Sequence, residues 1–254
     1  MEFSFPPHTI RVNIPDTGEL LTEVRRRMRN GEGYALATIN LDHLVKLSRD
    51  PAFRQSYAAQ DLVCADGNPI VWLSRVARRP VSLVPGSDVV LPLAALAERN
   101  AISVALMGST DEALAQAAEA MKQAVPGLTI AARIAPPMGF DPQGDDAVVI
   151  LDQLVKSGAG LVFIALGAPK QEAFAALGRK LAPRMGFASI GASLDFLAGR
   201  QTRAPHWVRA IAMEWAWRTM SNPRRLFKRY AECALILPGY ALRACRQRWS
   251  DGGV

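Results

Sequence analysis

Short apolar runs alternate with segments of helical periodicity between residues 34 and 181 of this 254-residue chain. The runs predict strands, and the segments between them, whose apolar residues recur three or four positions apart, predict helices. The predicted strands are Tyr34–Ile39, Asp61–Ala65, Ile102–Met107, Leu128–Ile134 and Leu161–Leu166. The predicted helices are Leu41–Ser48, Asn68–Val76, Asp111–Ala124, Ala147–Lys156 and Lys170–Leu181.

Strands that alternate with helices of about 10 to 15 residues indicate a parallel sheet. We therefore predict an α/β fold: a Rossmann-like, doubly wound, mostly parallel sheet with helices on both faces. In such sheets ligands bind beyond the carboxyl ends of the strands. The loops after Ile39, Ala65, Met107 and Leu166 are therefore where chemistry is expected.

The alternation ends near Gly199, after which no further strand is predicted. Residues 205–249 are predicted to be helices that are interrupted at Asn222-Pro223 and again at Pro238-Gly239, because proline and glycine both break helices. The C-terminal part is therefore predicted to be a separate helical appendage.

Basic and aromatic residues are concentrated in this appendage, predicted over residues 199–254, rather than in the core, predicted over residues 1–198. The appendage has 11 Lys and Arg against 3 Asp and Glu, a formal charge of +8, whereas the core has 19 against 20. Four of the five tryptophans also lie there: Trp207, Trp215, Trp217 and Trp249. Interleaved Arg and Trp suit either an anionic surface with an apolar layer beneath it or a nucleic acid.

Two polar residues, Thr38 and Asn40, flank the end of the first predicted strand. Residues two apart in a strand lie on the same side, and either side-chain oxygen could cap the helix that begins at Leu41. Contact with a ligand is the alternative, and one residue could do both.

Asp66 and Gly67 directly follow the predicted strand that ends at Ala65, which we expect to be central in the sheet. A carboxylate in this position suits a general base or an acceptor for a sugar hydroxyl, and a glycine lets a backbone or a ligand come close. The alternative is that Asp66 caps the next helix.

The segment Gly167–Glu172 follows the last predicted strand of the core. Its initial glycine permits a tight turn, Pro169 suits a first helical position, and the free N–H groups of a helix N-terminus favour phosphate. Lys170 and Gln171 add donors at the same place. The alternative is an ordinary strand-to-helix turn. The same pattern is weaker at Gly108-Ser109-Thr110.

Several other kinds of site are not indicated. P-loop, GxGxxG and GxSxG motifs are absent from the sequence. The three histidines are far apart, and His43 is expected on a helix surface, so we expect no metal site. Three scattered cysteines indicate a reducing compartment. The first 30 residues lack the apolar core of a signal peptide, and no stretch approaches the roughly 20 apolar residues of a membrane span. We expect a cytoplasmic protein with peripheral membrane contact.

Ordered sequence blocks in the C-terminal part resemble, in order and spacing, the WecG/TagA/CpsF family of bacterial glycosyltransferases. These blocks are Gly191–Gly199, Arg203–Trp207, Glu214-Trp215 with Arg218, and Asn222–Arg225 with Arg229-Tyr230. Earlier blocks are similar to the same family: Thr38–Asn40, Ala65–Gly67, Gly86–Asp88, Gly139-Phe140 and Gly167–Glu172. The matches run from about residue 34 to residue 230.

The resemblance implies a reaction. A sugar from a UDP-sugar, often UDP-N-acetylmannosamine or its uronic acid, moves to a polyprenyl-diphosphate-linked sugar with inversion at the anomeric carbon. No metal or other cofactor is implied. By the same resemblance Asp66 is the general base, and Asp195 lies near the nucleotide. Thr38, Asn40 and Gln171 are expected to contact the donor sugar. The other substrate-binding residues implied are Gly67, Gly108, Gly139, Gly167, Lys170, Arg218 and Arg225.

One position departs from the family pattern. Where relatives usually have Arg three residues before the Gly86–Asp88 block, this chain has Leu83. Either a neighbour such as Arg79 takes over those contacts or the donor sugar differs.

The expected partners are the UDP-sugar, the lipid-linked acceptor and the anionic inner face of the cytoplasmic membrane, and a homo-oligomer is allowed. Nucleic acid is not an expected partner, because the core is slightly acidic and carries no recognised nucleic-acid motif. The rival interpretations are a nucleic-acid-binding module and a non-catalytic scaffold for polysaccharide assembly.

Overall fold

The computed structural model describes residues 1–200, 204–205, 208, 213–221 and 223–250. The described strands are β1 Glu2–Phe5, β2 His8–Arg11, β3 Tyr34–Ile39, β4 Leu62–Ala65, β5 Val104–Gly108, β6 Ile130–Ile134, β7 Leu161–Ala165 and β8 Gly186–Ser189. The described helices are α1 Thr17–Asn30, α2 Leu41–Arg49, α3 Pro51–Ala58, α4 Asn68–Val76, α5 Gly86–Arg99, α6 Asp111–Ala124, α7 Asp145–Lys156, α8 Lys170–Leu181, α9 Ser193–Leu197, α10 Glu214–Ser221 and α11 Pro223–Ser250.

Strands β3 to β8 form one sheet in the order β4-β3-β8-β7-β5-β6, and every neighbouring pair is parallel. Helices cover both faces, since neighbouring side chains of β3 enter different apolar clusters. Leu36 packs with residues of α1, α5, α6 and α9. On the other side, Ala35 packs with residues of α7 and α8, and Ala37 packs with residues of α2, α3 and α4. The predicted α/β, doubly wound, mostly parallel fold is confirmed.

Strand β4 lies at the edge of this sheet, so the expectation that it is central is wrong. Its outer edge is covered by an earlier segment of the chain. Val63 donates its N–H to Asn13 Oδ1 at 2.8 Å, and its carbonyl accepts from Ile14 N at 3.2 Å. Because this segment supplies the missing partners, β4 is buried on both sides and has the apolar composition of a central strand.

Several elements were not predicted from the sequence: the antiparallel hairpin of β1 and β2, strand β8, and helices α1, α3, α5 and α9. Strand β8 is Gly186–Ser189, four residues without a β-branched side chain, so no apolar run marks it. The hairpin does carry a signal, because Phe3, Phe5, Ile10 and Val12 alternate with polar residues and are buried.

The appendage contains one long helix, α11, which continues through Pro238, so the interruption predicted there is wrong. An interior proline removes a helical hydrogen bond and costs about 3 kcal/mol. The proline is exposed, however, and the helix is anchored on both sides of it by Cys233 and Tyr240, which are buried in an apolar cluster with residues of α2 and α4. The interruption predicted at Asn222-Pro223 agrees with the end of α10 at Ser221, although Asn222 itself lies outside the described residues.

Helix α11 packs across α2 and α4. Ion pairs join it to α2: Arg229 Nε lies 3.1 Å from Asp42 Oδ1, and Arg49 lies 3.1 Å from Glu232 Oε2. Among the described helices, α11 included, none combines the length and the apolar character needed to span a bilayer. The division of the chain at residue 198 stays a prediction.

Candidate active site

Four adjacent strands of the sheet, β4, β3, β8 and β7, end at the same edge, because all of them are parallel. Asp66 directly follows β4, Asn40 follows β3, Gly167 lies two residues beyond β7, and Gly191 lies two residues beyond β8. The contacts described below join residues of these strand ends that are far apart in the sequence.

The carboxylate of Asp66 is half-buried beside the end of β3. Its backbone N–H donates to the carbonyl of Ile39 at 2.8 Å, which continues the β3–β4 ladder by one residue. Thr38 Oγ1 donates to Asp66 Oδ2 at 3.4 Å. The cap position of α4 is Gly67, at φ 106°, and it has no side-chain cap, so the alternative role of Asp66 as a cap is wrong. The carboxylate therefore lies at the strand end and does not cap α4.

Asn40 caps α2 through a reciprocal pair of bonds with His43. The side-chain Oδ1 of Asn40 accepts from His43 N at 3.1 Å, and Asn40 N donates to His43 Nδ1 at 3.1 Å. Capping is therefore confirmed for Asn40, whereas Thr38 contacts Asp66 instead. His43 is buried against the rings of Phe53 and Tyr57, so its expected place on a helix surface is wrong. The polar ring enters the core because its Nδ1 atom is satisfied by the cap.

The side chain of Gln171 lies inside the protein at the start of α8 and is only 3% exposed. Its Nε2 atom donates to Glu172 Oε1 at 2.8 Å, and its Oε1 atom accepts from Gly191 N at 3.0 Å. It therefore links the ends of β7 and β8.

The carboxyl of Glu172 is fully buried between α8 and α2. Burial raises its pKa to about 7, because a charged carboxylate is poorly solvated there. His43 Nε2 lies 3.7 Å from Glu172 Oε1, and burial lowers the pKa of the imidazole to about 3. At neutral pH the imidazole is therefore uncharged.

We expect Glu172→Gln to raise the free energy of unfolding relative to the wild type at pH 8 more than at pH 4.5. The carboxyl has a pKa of about 7 in the folded protein, against an ordinary value of 4.5, so the folded state binds the proton more tightly than the unfolded state does. The stability from this difference is fully present below about pH 4.5 and is lost as the pH rises through 7, a total of about 3 kcal/mol. Glutamine does not titrate, and His43 is common to both proteins. Urea unfolding of both proteins between pH 4.5 and 8 measures the difference, and a difference that is constant with pH would contradict the expectation.

The loop after β7 is held by two lysines. Lys46 Nζ donates to the carbonyl of Ala168 at 3.0 Å, and Lys170 Nζ donates to the carbonyl of Phe140 at 2.8 Å. The second bond brings the loop of Gly139 next to that of Gly167. The cap residue of α8, Pro169, makes no side-chain hydrogen bond, although Gln171 N–H already donates to the carbonyl of Gly167 at 3.1 Å. The N-terminus of α8 carries the positive end of the helix dipole, which favours an anion.

The loop after β5 is joined to α9. Ser109 Oγ donates to Asp195 Oδ1 at 2.6 Å, and Ser109 has a positive φ of 55°. Gly108 before it has φ 113° and lies against the backbone of β7. No partner for Asp195 was predicted from the sequence. The signal for Ser109 was its place in the Gly108-Ser109-Thr110 pattern, which was weaker than that of Gly167–Glu172. This contact places Asp195 on the strand-end edge of the sheet.

Alanine at Gly108 is expected to destabilise the protein by about 3 kcal/mol or more, because its Cβ would lie 2.4 Å from the carbonyl oxygen of Ala165 in addition to the strain at φ 113°. Gly139→Ala is the control, since its φ is also positive but nothing lies within 4 Å of the added carbon. Strain alone should cost about 1–2 kcal/mol there. Equal losses in thermal or urea unfolding would show that the close approach is unimportant.

Leu83 lies beside this site, since the next residue, Val84, donates its N–H to the carbonyl of Ala65 at 2.8 Å. Leu83 itself is 39% exposed. Arg79 lies beyond the opposite end of α4, with its guanidinium 3.7 Å from Glu2 Oε1. These positions give no support to Arg79 as a substitute for the usual arginine.

Two expected site residues belong to the appendage. Arg218 lies in α10 and Arg225 lies in α11, but their side chains are outside the described part of the structure. Among the described residues, no cluster of three or more His, Cys, Asp or Glu is placed to hold a metal ion.

Neither His43 nor Glu172 was predicted from the sequence to be a functional residue. Each had a signal: His43 stands three residues after a cap residue, where a capping-box partner belongs, and Glu172 directly follows Gln171. Their burial could not be read from the sequence.

Comparison with known proteins identifies the family. A family model described as the glycosyl transferase WecG/TagA/CpsF family matches residues 7–253. Two similar proteins are both named N-acetylglucosaminyldiphosphoundecaprenol N-acetyl-beta-D-mannosaminyltransferase. The protein from Bacillus subtilis is 27% identical over 217 residues, 85% of this chain and 80% of the relative. The protein from Bacillus spizizenii is 28% identical over 196 residues, 76% of this chain and 74% of the relative. The resemblance predicted from the sequence blocks is confirmed, and the chain belongs to the WecG/TagA/CpsF family of glycosyltransferases.

Proposed function

We propose that this glycosyltransferase moves a sugar from a UDP-sugar to a polyprenyl-diphosphate-linked sugar, with inversion at the anomeric carbon. The observation that carries the proposal is the carboxylate of Asp66, half-buried at a strand end, with Thr38 and Asn40 beside it on β3 and its following loop. The names of the two relatives describe a lipid-diphosphate acceptor and transfer of N-acetylmannosamine, which supports the acceptor class and the sugar class of the donor.

In this reaction Asp66 acts as the general base. An acceptor hydroxyl has a pKa far above 7, so attack on the anomeric carbon is assisted when a carboxylate takes the proton as the new C–O bond forms, a contribution of roughly 10²- to 10⁴-fold. The bond between the anomeric carbon and UDP breaks with its electron pair moving to the phosphate oxygen. Attack from the face opposite UDP inverts the configuration.

The charge that grows on departing UDP needs donors. The N-terminus of α8 lies next to Gly167, and the positive end of its helix dipole is proposed to stabilise this charge. Arg218 and Arg225 of the appendage are the proposed cations for the diphosphates. Asp195, held by Ser109 at 2.6 Å on the same edge of the sheet, is proposed to contact the nucleotide.

The donor sugar is proposed to be of the N-acetylmannosamine type or a related hexose or uronic acid. The apolar, 39% exposed Leu83 beside the site favours a donor that does not require an arginine at that position. A variant with Leu83→Arg therefore tests whether the donor preference changes.

The acceptor lipid implies that the enzyme works as a peripheral protein on the inner face of the cytoplasmic membrane. The appendage carries a formal charge of +8, and each cation close to anionic lipid contributes about 1 kcal/mol. Exposed apolar side chains of α11 extend this basic surface.

The test is a screen of UDP-sugars for release of UDP in the presence of a short-chain lipid-linked acceptor. We expect release with one or a few UDP-sugars, dependent on the acceptor. Absence of release with every donor, together with salt-sensitive RNA binding, would favour the nucleic-acid-binding alternative. Absence of release without RNA binding would favour an assembly scaffold.

A further inference from the structure

The amide of Gln171 has only one orientation that satisfies its neighbours. A backbone N–H can only donate, so the atom facing Gly191 N at 3.0 Å must be the oxygen. The nitrogen then faces Glu172 Oε1 at 2.8 Å and donates to it. The reversed orientation is excluded, because it would place the amide nitrogen against a backbone N–H and the amide oxygen against a carboxyl oxygen.

His43 is oriented in the same way from the other side of the site. Its Nδ1 atom accepts from Asn40 N at 3.1 Å, so the neutral ring carries its proton on Nε2. The Nε2 atom lies 3.7 Å from Glu172 Oε1, in contact but beyond hydrogen-bond distance. The ring stays neutral because burial lowers its pKa to about 3.

The capping box also decides which end of Asn40 is available. Its Oδ1 atom is used by His43 N at 3.1 Å, so the Nδ2 group is the end left to bind substrate. No partner for Nδ2 is present among the described residues. The nearest part of the chain is Gly67, since a carbon added there would lie 3.6 Å from Asn40 Cβ.

We propose that Glu172 and His43 are positioning residues for sugar transfer. Glu172, on α8, sets the orientation of the Gln171 amide through its carboxyl. His43, on α2, holds Asn40 through the two bonds of the capping box: its backbone N–H fixes the Asn40 amide, and its ring Nδ1 atom fixes the Asn40 backbone, so that both amides face the donor sugar. The consequence is that Asn40 presents N–H donors, and it therefore recognises an oxygen of the sugar. This inference rests on the proposed function and extends it to two residues that do not touch substrate.

Two substitutions of similar length separate positioning from packing. Glu172→Gln keeps a carboxamide oxygen as acceptor for Gln171 Nε2, whereas Glu172→Met fills the space and leaves that donor without a partner. We expect Glu172→Met to raise the KM for the UDP-sugar about tenfold, with the inhibition constant of UDP alone within about twofold of the wild type, because UDP lacks the sugar. Glu172→Gln should remain within about threefold of the wild type in both constants. Equal behaviour of the two variants would overturn the proposal.

A double-mutant cycle supplies the second measurement. If Glu172 acts through Gln171, the effect of Glu172→Met on the KM for the UDP-sugar should vanish in a Gln171→Ala background, since the group being positioned is gone. The same tenfold effect in both backgrounds would show that Glu172 does not act through Gln171, and would overturn the proposal.

NMR of the wild type tests the geometry without requiring activity. The ¹⁵N signals of His43 should show a neutral ring protonated at Nε2 from pH 5 to 8, and the Gln171 side-chain amide should exchange slowly with solvent. A ring protonated at Nδ1, or a rapidly exchanging Gln171 amide, would overturn the proposal. Failure of the wild type to release UDP from any UDP-sugar would count against the proposed function, while these spectra would still decide the orientation of the two amides.

Discussion

Replacement of Asp66 by asparagine is expected to lower turnover by at least about 100-fold while the affinity for UDP stays nearly unchanged. Asparagine has the shape of aspartate but cannot take a proton from the acceptor hydroxyl. The loss should therefore appear in kcat for acceptor-dependent UDP release, and the binding of UDP measured by calorimetry should stay within about twofold. The expected factor is the usual contribution of general acid–base catalysis.

Asp152→Asn is the matched control for this experiment. Asp152 is an exposed carboxylate on α7 that pairs with Lys156 at 2.6 Å, far in the fold from the ends of β3 and β4. Its loss should leave turnover and UDP affinity unchanged. Near-normal turnover of Asp66→Asn in the same assay would remove Asp66 from the role of general base.

Serine at Phe227, Leu235 and Leu242 together is expected to lower the association of the protein with anionic liposomes by about 100-fold without lowering its melting temperature. These side chains are 71%, 81% and 67% exposed, and their spacing along α11 places them on one side of the helix. The opposite side is anchored by buried residues such as Cys233 and Tyr240. Partial burial of three large apolar side chains at about 1 kcal/mol each corresponds to the expected factor.

The control for this prediction is serine at Val148, Val149 and Val155 of α7, which are 48%, 55% and 51% exposed. They form an apolar surface, less exposed than that of α11, on a helix outside the appendage, and their replacement should leave liposome association unchanged. Sedimentation with vesicles of defined anionic content measures both variants. Equal binding by the α11 variant and the wild type would contradict membrane contact through this face.

Point substitutions test the appendage more cleanly than its removal. A protein that ends before Pro205 would lose α11, and with it the buried contacts of Cys233, Tyr240 and Ala244 in the cluster that includes Phe3. Loss of activity after such a truncation would then combine lost membrane contact with damage to the core. The three exposed residues of α11 can be changed without this cost, because their side chains face solvent.

Several residues of the candidate site could be located from the sequence, because local rules are strong where a strand ends. Asp66 directly follows an apolar run, and Asn40 stands where a helix cap belongs, so the strand and helix periods located both. Strand β8 could not be predicted in this way, because its four residues show no periodic pattern. The contact between Gln171 and Gly191, which follows β8, was therefore not predicted either.

The sequence by itself determined the alternation of strands and helices, the edge of the sheet where the site lies, and the basic character of the appendage, because these depend on periodicity and composition along the chain. Only the tertiary structure decided that β4 is an edge strand, that α11 runs through Pro238, and that Glu172 and His43 face each other at 3.7 Å in the core. Each of these depends on burial by segments distant in sequence. Burial can outweigh a local helix-breaking signal, and it changes the charge state of a carboxyl or an imidazole.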